Sequence, residues 1–169
     1  MNKKILRPAI LPIIATALVA IGMTVYLNMG YSAAPSATFV LLDGSKKTTE
    51  NLKGRVTLVN FWATSCTTCV AEMPKIIATH LKYNVRGFDT IAVAMRYDPP
   101  SYVANFAQTR QLPFGVAIDN TGSIAKAWGD VKLTPTTFLV NKQGEIVKRY
   151  VGEPDFAEVH RLIEGLLAS

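Results

Sequence analysis

The junction between a long apolar stretch and the chain's two cysteines constrains the fold most strongly. Residues 55–63 read RVTLVNFWA, a β-branched and almost wholly apolar run typical of a strand buried on both faces. Cys66 and Cys69 follow at once, and apolar residues then recur at helical spacing as far as Tyr83. A buried strand that leads directly into a helix predicts an α/β sheet with helical crossovers.

Strands and helices are predicted to alternate along the rest of the chain, in the order β-β-α-β-α-β-α-β-β-α. The predicted strands are residues 38–42, 55–63, 89–95, 114–118, 136–140 and 145–151. The predicted helices are residues 66–83, 101–111, 122–128 and 154–167. This order predicts an α/β fold with a central mixed β-sheet flanked by helices.

An uncharged stretch near the amino terminus predicts a transmembrane helix. Residues 9–27 carry no charged side chain, and a helix of that length spans about 28 Å, close to the hydrocarbon thickness of a bilayer. Lys3, Lys4 and Arg7 precede the stretch. Basic residues favour the cytoplasmic side, so the rest of the chain is predicted to lie across the membrane.

Three segments follow from this interpretation. Residues 1–29 are predicted to be an uncleaved membrane anchor, residues 30–37 a linker, and residues 38–169 the folded domain. The small residues Ser32, Ala33 and Ala34 would also suit a cleavage site, so a signal peptide is the alternative to an anchor.

Composition excludes several classes of protein. The formal net charge is +6, without a block of Lys or Arg, so no nucleic-acid partner is predicted. Two cysteines are too few for a disulfide-rich scaffold or a four-thiolate zinc site. The only histidines are His80 and His160, and His80 lies roughly 16 Å along the predicted helix from Cys69, too far to share one ion. No metal and no cofactor is therefore predicted.

The spacing of the cysteines predicts thiol–disulfide chemistry. A thiol at a helix amino terminus meets unpaired N–H groups and the positive end of the helix dipole, which favour the thiolate. Cys66 is thus the predicted nucleophile. Cys69, one turn on, is the predicted resolving thiol that attacks a mixed disulfide. A copper-binding module that uses both thiolates as soft ligands for Cu(I) is the alternative function.

Two landmarks resemble the thioredoxin superfamily. The first comprises residues 59–66 (VNFWATSC), Cys69, Glu72, Met73 and Pro74. The second is residues 133–140 (LTPTTFLV), which resemble the family's cis-proline loop. Together with the amino-terminal stretch and residues 89–106, the chain is most similar to the TlpA/ResA-like branch of membrane-tethered thiol–disulfide oxidoreductases.

The resemblance implies roles for single residues. Cys66 and Cys69 would form the redox disulfide. Pro135 would follow a cis peptide bond beside Cys66, and the Thr134 backbone would pair with an extended substrate segment. Trp62 would shield the thiols, with plain core packing as the alternative.

The pattern leaves two alternatives for Asp98, a candidate in proton transfer. Thioredoxins carry a buried aspartate where this chain has Asn60, and an amide cannot shuttle a proton. The resemblance aligns Asp98 with an acidic proton relay, whereas Asp98 before Pro99 also has the signature of a helix N-cap. Glu72 matches a family position but is expected to be a solvated helix residue.

The resemblance also implies a cellular setting. The chain would be a reductase of protein disulfides in the bacterial periplasm, held in the inner membrane by one helix or released there after cleavage. Its substrates would be apocytochrome c or a copper-site assembly factor of an oxidase. A membrane electron donor of the DsbD/CcdA type would restore the dithiol.

Overall fold

Residues 30–169 are described by a computed structural model, and the predicted anchor at residues 1–29 lies outside this range. In the part described, no helix has both the length and the apolar character needed to cross a bilayer.

Eight strands and four α-helices make up the described chain. The strands are β1 Ser32–Ala33, β2 Thr38–Val40, β3 Lys46–Thr48, β4 Val56–Trp62, β5 Phe88–Ala94, β6 Gly115–Ile118, β7 Thr136–Val140 and β8 Glu145–Val151. The helices are α1 Thr67–Tyr83, α2 Pro100–Thr109, α3 Ser123–Ala127 and α4 Phe156–Ala168. Two short 3-10 helices, Thr49–Leu52 and Asn84–Arg86, precede β4 and β5.

A six-stranded mixed sheet organises the fold, in the order β1-β8-β7-β4-β5-β6. Strand β4 lies inside it, parallel to β5 and antiparallel to β7. All seven residues of β4 are buried, because neighbouring strands cover both edges and packed layers cover both faces. The predicted mixed sheet flanked by helices is confirmed.

The two faces of β4 contribute to separate cores. Val59 and Phe61 join one apolar cluster, which contains Trp128 and residues of α3. Leu58 and Trp62 join the other, which contains residues of α1, α2 and α4. Since side chains alternate along a strand, Asn60 shares the face of Leu58 and Trp62 and points toward the layer that holds α1.

Two local differences separate the structure from the predicted elements. Within residues 30–37, predicted as a linker, β1 pairs with β8, with Ser32 opposite Ile146. Strand β3 pairs with β2 in a two-stranded sheet that the sequence did not predict. Its residues, Lys-Lys-Thr, offer no apolar alternation, so backbone pairing alone marks it as a strand.

Candidate active site

The two cysteines form a disulfide at the start of α1. Cys66 is the N-cap of the helix, and its Sγ accepts a hydrogen bond of 3.1 Å from the N–H of Cys69. The Cα atoms of Cys66 and Cys69 are 5.2 Å apart. Cys66 is half-buried, whereas Cys69 is completely buried. Cys66 is therefore the more accessible of the two cysteines to a partner molecule.

The helix amino terminus provides the electrostatic setting for Cys66. Strand β4 ends at Trp62 and α1 begins at Thr67, so Cys66 lies at the helix end where the first N–H groups have no partner within the helix. These groups and the helix dipole stabilise a thiolate when the disulfide is reduced. The helix continues through Pro74 to Tyr83, although a proline inside a helix can break it.

The Thr134–Pro135 peptide bond is cis, as the resemblance implied. Pro135 directly precedes β7, whose first residue, Thr136, is paired with Phe61 of β4. The loop therefore lies at the end of the sheet where β4 leads to the cysteines. Neither the N–H nor the carbonyl of Thr134 finds a backbone partner within residues 30–169. Both groups are thus available to an extended polypeptide, and substrate pairing stays a prediction.

Trp62 lies wholly inside the core. It belongs to the same apolar cluster as Cys69, and its ring centroid is 5.0 Å from that of Phe106. The indole Nε1 is buried and has no hydrogen-bond partner in the described part of the chain. Trp62 packs the core directly beneath the active-site helix, which fits both roles that the sequence allowed.

Asp98 does not cap helix α2, so the capping alternative is wrong. The N-cap of α2 is Pro99, and no side chain caps it. Instead, the Asp98 carboxylate accepts hydrogen bonds from the N–H of Thr64 at 2.6 Å and from its hydroxyl at 2.5 Å. Asp98 is 2% exposed. It braces the loop that leads to Cys66, and its relay role stays a prediction.

Glu72 is buried, which contradicts the expected solvated position. Its side chain is 0% exposed, and Oε1 accepts a hydrogen bond of 3.0 Å from Asn60 Nδ2. The second oxygen, Oε2, has no hydrogen-bond partner among the described residues. Burial raises the pKa of Glu72 to about 7, although the Asn60 hydrogen bond acts in the opposite direction. The carboxyl group therefore titrates near neutral pH.

The position of Glu72 connects it with the buried thiol. Glu72 lies three residues after Cys69 on α1, so the two side chains share a face of the helix. Both are completely buried. A carboxyl group that changes protonation near pH 7 in this position can accept a proton from the Cys69 thiol or return one to it.

Asn60 ties the helix to the sheet. Its Nδ2 donates to Glu72 Oε1 and, at 2.9 Å, to Thr137 Oγ1 of β7. Asn60 was the one feature of the sequence that indicated a buried polar partner such as Glu72, because an amide within a buried strand must form hydrogen bonds. The partner could not be identified without knowing which helix face packs on β4.

The described residues contain no group of three or more His, Cys, Asp or Glu side chains placed to hold a metal ion. Met73, the nearest thioether in sequence, is 1% exposed in the core beside Cys69. His80 is also a packed residue, since its Nδ1 lies 3.2 Å from Thr90 Oγ1 and burial lowers its pKa. Within the described domain, the copper alternative therefore has no cluster of three or more such side chains to build on.

Comparison with known proteins places the chain in a family. The family model described as Redoxin matches residues 30–163. Thiol-disulfide oxidoreductase ResA of Bacillus cereus (strain ATCC 10987 / NRS 248) is 33% identical over 162 residues, which cover 90% of each chain. The protein of the same name from Geobacillus kaustophilus is 30% identical over 173 residues, covering 98% of this chain and 97% of the relative.

Solved structures give the same result. A Neisseria meningitidis protein assigned as a thioredoxin has a TM-score of 0.76 at 38% identity, covering 83% of this chain and 93% of its own. A thioredoxin-family thiol:disulfide interchange protein from Chlorobium tepidum has a TM-score of 0.75 at 26% identity, covering 83% of this chain and 99% of its own. The chain belongs to the Redoxin family and is a thioredoxin-fold thiol–disulfide oxidoreductase similar to ResA.

Proposed function

We propose that the protein reduces disulfide bonds of partner proteins outside the cytoplasm. The observation that carries the proposal is the pairing of a half-exposed Cys66 at a helix start with a completely buried Cys69. A nucleophile must be reached by the partner, whereas a resolving thiol only has to reach Cys66. The open backbone of Thr134 would align the partner beside Cys66.

The reaction would proceed through a mixed disulfide. The Cys66 thiolate attacks one sulfur of the partner disulfide, and the other partner sulfur leaves as a thiolate and takes up a proton. Glu72 accepts the proton of the Cys69 thiol, and the resulting thiolate attacks Cys66. The bond between the Cys66 sulfur and the partner sulfur breaks, and that partner sulfur leaves as a thiolate and takes up a proton. Two electrons pass to the partner, and the Cys66–Cys69 disulfide remains.

The direction and the setting are further parts of the proposal. The uncharged residues 9–27, preceded by basic residues, support an inner-membrane anchor with the domain in the periplasm. A membrane electron donor of the DsbD/CcdA type would return the disulfide to the dithiol. Apocytochrome c and a copper-site assembly factor are the proposed classes of substrate, by analogy with the TlpA/ResA-like branch.

Trapping tests the mechanism and identifies the partners. In the full chain, Cys69→Ser should accumulate a mixed disulfide through Cys66 in native membranes, which reduction releases for mass spectrometry. Cys66→Ser is the matched control and should trap nothing. Equal trapping by both variants, or trapping through Cys69 alone, would contradict the assignment of the two roles.

Two measurements test direction and location. A reductase should have a reduction potential of roughly −200 to −270 mV, whereas a value near about −120 mV would make it an oxidant. In intact cells treated with a membrane-impermeant phosphine, an impermeant maleimide should label Cys66. Labelling only after lysis would place the domain in the cytoplasm.

A further inference from the structure

A groove of about 440 Å³ lies beside the loop that carries the cis-proline. Arg96 and Tyr97, which follow β5, line one part of it, and Gly122 and Lys126 line another. The Tyr97 hydroxyl is 3.2 Å from Thr134 Oγ1. A polypeptide that pairs with the Thr134 backbone would therefore have this groove next to it.

The charged residues that line the groove are mainly cationic. Arg96, Lys126 and Lys132 contribute three positive charges, and Asp130 contributes one carboxylate. Asp130 is already paired with Lys132 at 3.0 Å. Among residues 30–169, neither Arg96 nor Lys126 forms an ion pair, and both are exposed. The local excess of positive charge thus comes from Arg96 and Lys126.

Buried apolar residues form the floor of the groove, and the Arg96 side chain packs against its backbone. Met95, Ala125 and Val131 are at least 94% buried beneath it. Gly122 has a φ of +76°, and a Cβ atom at this residue would lie 3.0 Å from Arg96 Cδ. The Arg96 stem therefore lies directly against the Gly122 backbone in the lining of the groove.

We infer that this basic groove, formed by Arg96, Tyr97, Gly122, Lys126 and Lys132, receives an acidic segment of the partner polypeptide next to its reacting cysteine. The inference rests on the proposed function, because it needs a polypeptide aligned on Thr134. Charge complementarity selects the occupant: unpaired cations in a concave site attract carboxylates and accelerate encounter. The groove would therefore discriminate between partners according to the residues that flank their disulfide.

Matched disulfide peptides test the inference. Each peptide contains two cysteines closed in a disulfide, flanked by three Asp or by three Asn, on either the amino or the carboxyl side. The reduced full chain is mixed with each peptide, and the reaction is quenched with acid at successive times. Free thiols are then alkylated, and mass spectrometry of the chain gives the rate of Cys66–Cys69 disulfide formation. When the three residues are on one of the two sides of the disulfide, the acidic peptide should react roughly tenfold faster than the neutral one at low ionic strength. The preference should fall as salt rises.

The double variant Arg96→Gln/Lys126→Gln should reduce this preference to less than about twofold and leave the neutral peptide's rate unchanged. The control is Lys46→Gln/Arg161→Gln, which removes two exposed cations outside the groove and should keep the preference. Equal rates for acidic and neutral peptides, a preference that survives the groove variant, or an equal loss in the control would overturn the inference. Failure of the wild type to reduce any peptide would instead contradict the proposed function.

Discussion

Two buried carboxyl groups near the disulfide differ in how many of their oxygens accept a hydrogen bond. Asp98 has both oxygens engaged by Thr64, one by the N–H and one by the hydroxyl. Glu72 receives one hydrogen bond from Asn60, and its Oε2 has no partner among the described residues. Asp98 braces the chain before Cys66, whereas Glu72 lies on the helix after Cys69.

The difference gives the two carboxyl groups different expected roles. Hydrogen bonds from Thr64 to both oxygens compensate Asp98 for the loss of water and hold the loop in place. Glu72 lacks that compensation, and burial raises its pKa to about 7. We expect substitution at Glu72 to affect proton transfer and substitution at Asp98 to affect stability.

The largest effect is expected for Glu72→Gln on release of the mixed disulfide. The amide keeps the size of the side chain but cannot accept the Cys69 proton, so release at pH 7 should slow by roughly two to three orders of magnitude. Release from a peptide joined to Cys66 can be followed by quenched mass spectrometry. In the wild type, the rate should rise as pH passes through about 7, where Glu72 ionises, and the variant should lack this inflection.

Asp98→Asn is the matched control for this comparison. It also replaces a buried carboxylate by an amide, yet it should change the release rate by less than about threefold, because Asp98 is bonded to Thr64 and not to a cysteine. A loss as large as that of Glu72→Gln would make Asp98 the relay.

The pH dependence of stability gives the next largest effect. The folded-state pKa of Glu72 is raised from 4.5 to about 7, so the folded chain binds more protons than the unfolded chain between these values. Stability should therefore fall as pH rises from about 4.5 to about 7, by on the order of 3 kcal/mol. Urea unfolding of the oxidised chain at pH 5 and pH 8 measures the change. An equal decline in Glu72→Gln would assign it to other groups.

These two carboxyl groups also show which features could be predicted from the sequence and which could not. Strand β4 could be predicted because an apolar run is a local signal, and the cis-proline loop because a short motif resembles the thioredoxin superfamily. Asp98 before Pro99 has the local signature of a cap, but its partner Thr64 lies 34 residues away in the chain. Tertiary contact therefore replaced the local interaction that the signature predicts.

Glu72 was missed for a related reason. A glutamate on an amphipathic helix is normally solvated, and its burial depends on how α1 sits on β4. The alternation of side chains along β4 would have placed Asn60 on the same face as Leu58 and Trp62. It could not show that this amide faces Glu72 and not a backbone group or water.

Removing the Asp98 carboxylate should lower stability by a smaller amount. Asp98→Ala leaves the N–H and hydroxyl of Thr64 without their partner, and we expect a loss of about 2 kcal/mol in the free energy of unfolding. Asp98→Asn retains an acceptor oxygen and should lose less. Denaturant unfolding at pH 8 measures both. A loss below about 0.5 kcal/mol in Asp98→Ala would show that the brace contributes little.

The smallest effect on stability is expected for two buried threonines of the sheet. Like the two carboxyl groups, they differ in whether the side-chain oxygen has a hydrogen-bond partner. Thr137 Oγ1 accepts a hydrogen bond from Asn60, whereas Thr57 Oγ1 is buried without a partner in the described chain. Thr137→Val should cost about 1 kcal/mol because one N–H of Asn60 loses its acceptor. Thr57→Val replaces an unpaired hydroxyl by a methyl group and should leave stability within about 0.5 kcal/mol of the wild type or raise it. Denaturant unfolding of both variants measures the difference, and equal losses would mean that hydrogen bonding to Asn60 does not distinguish the two sites.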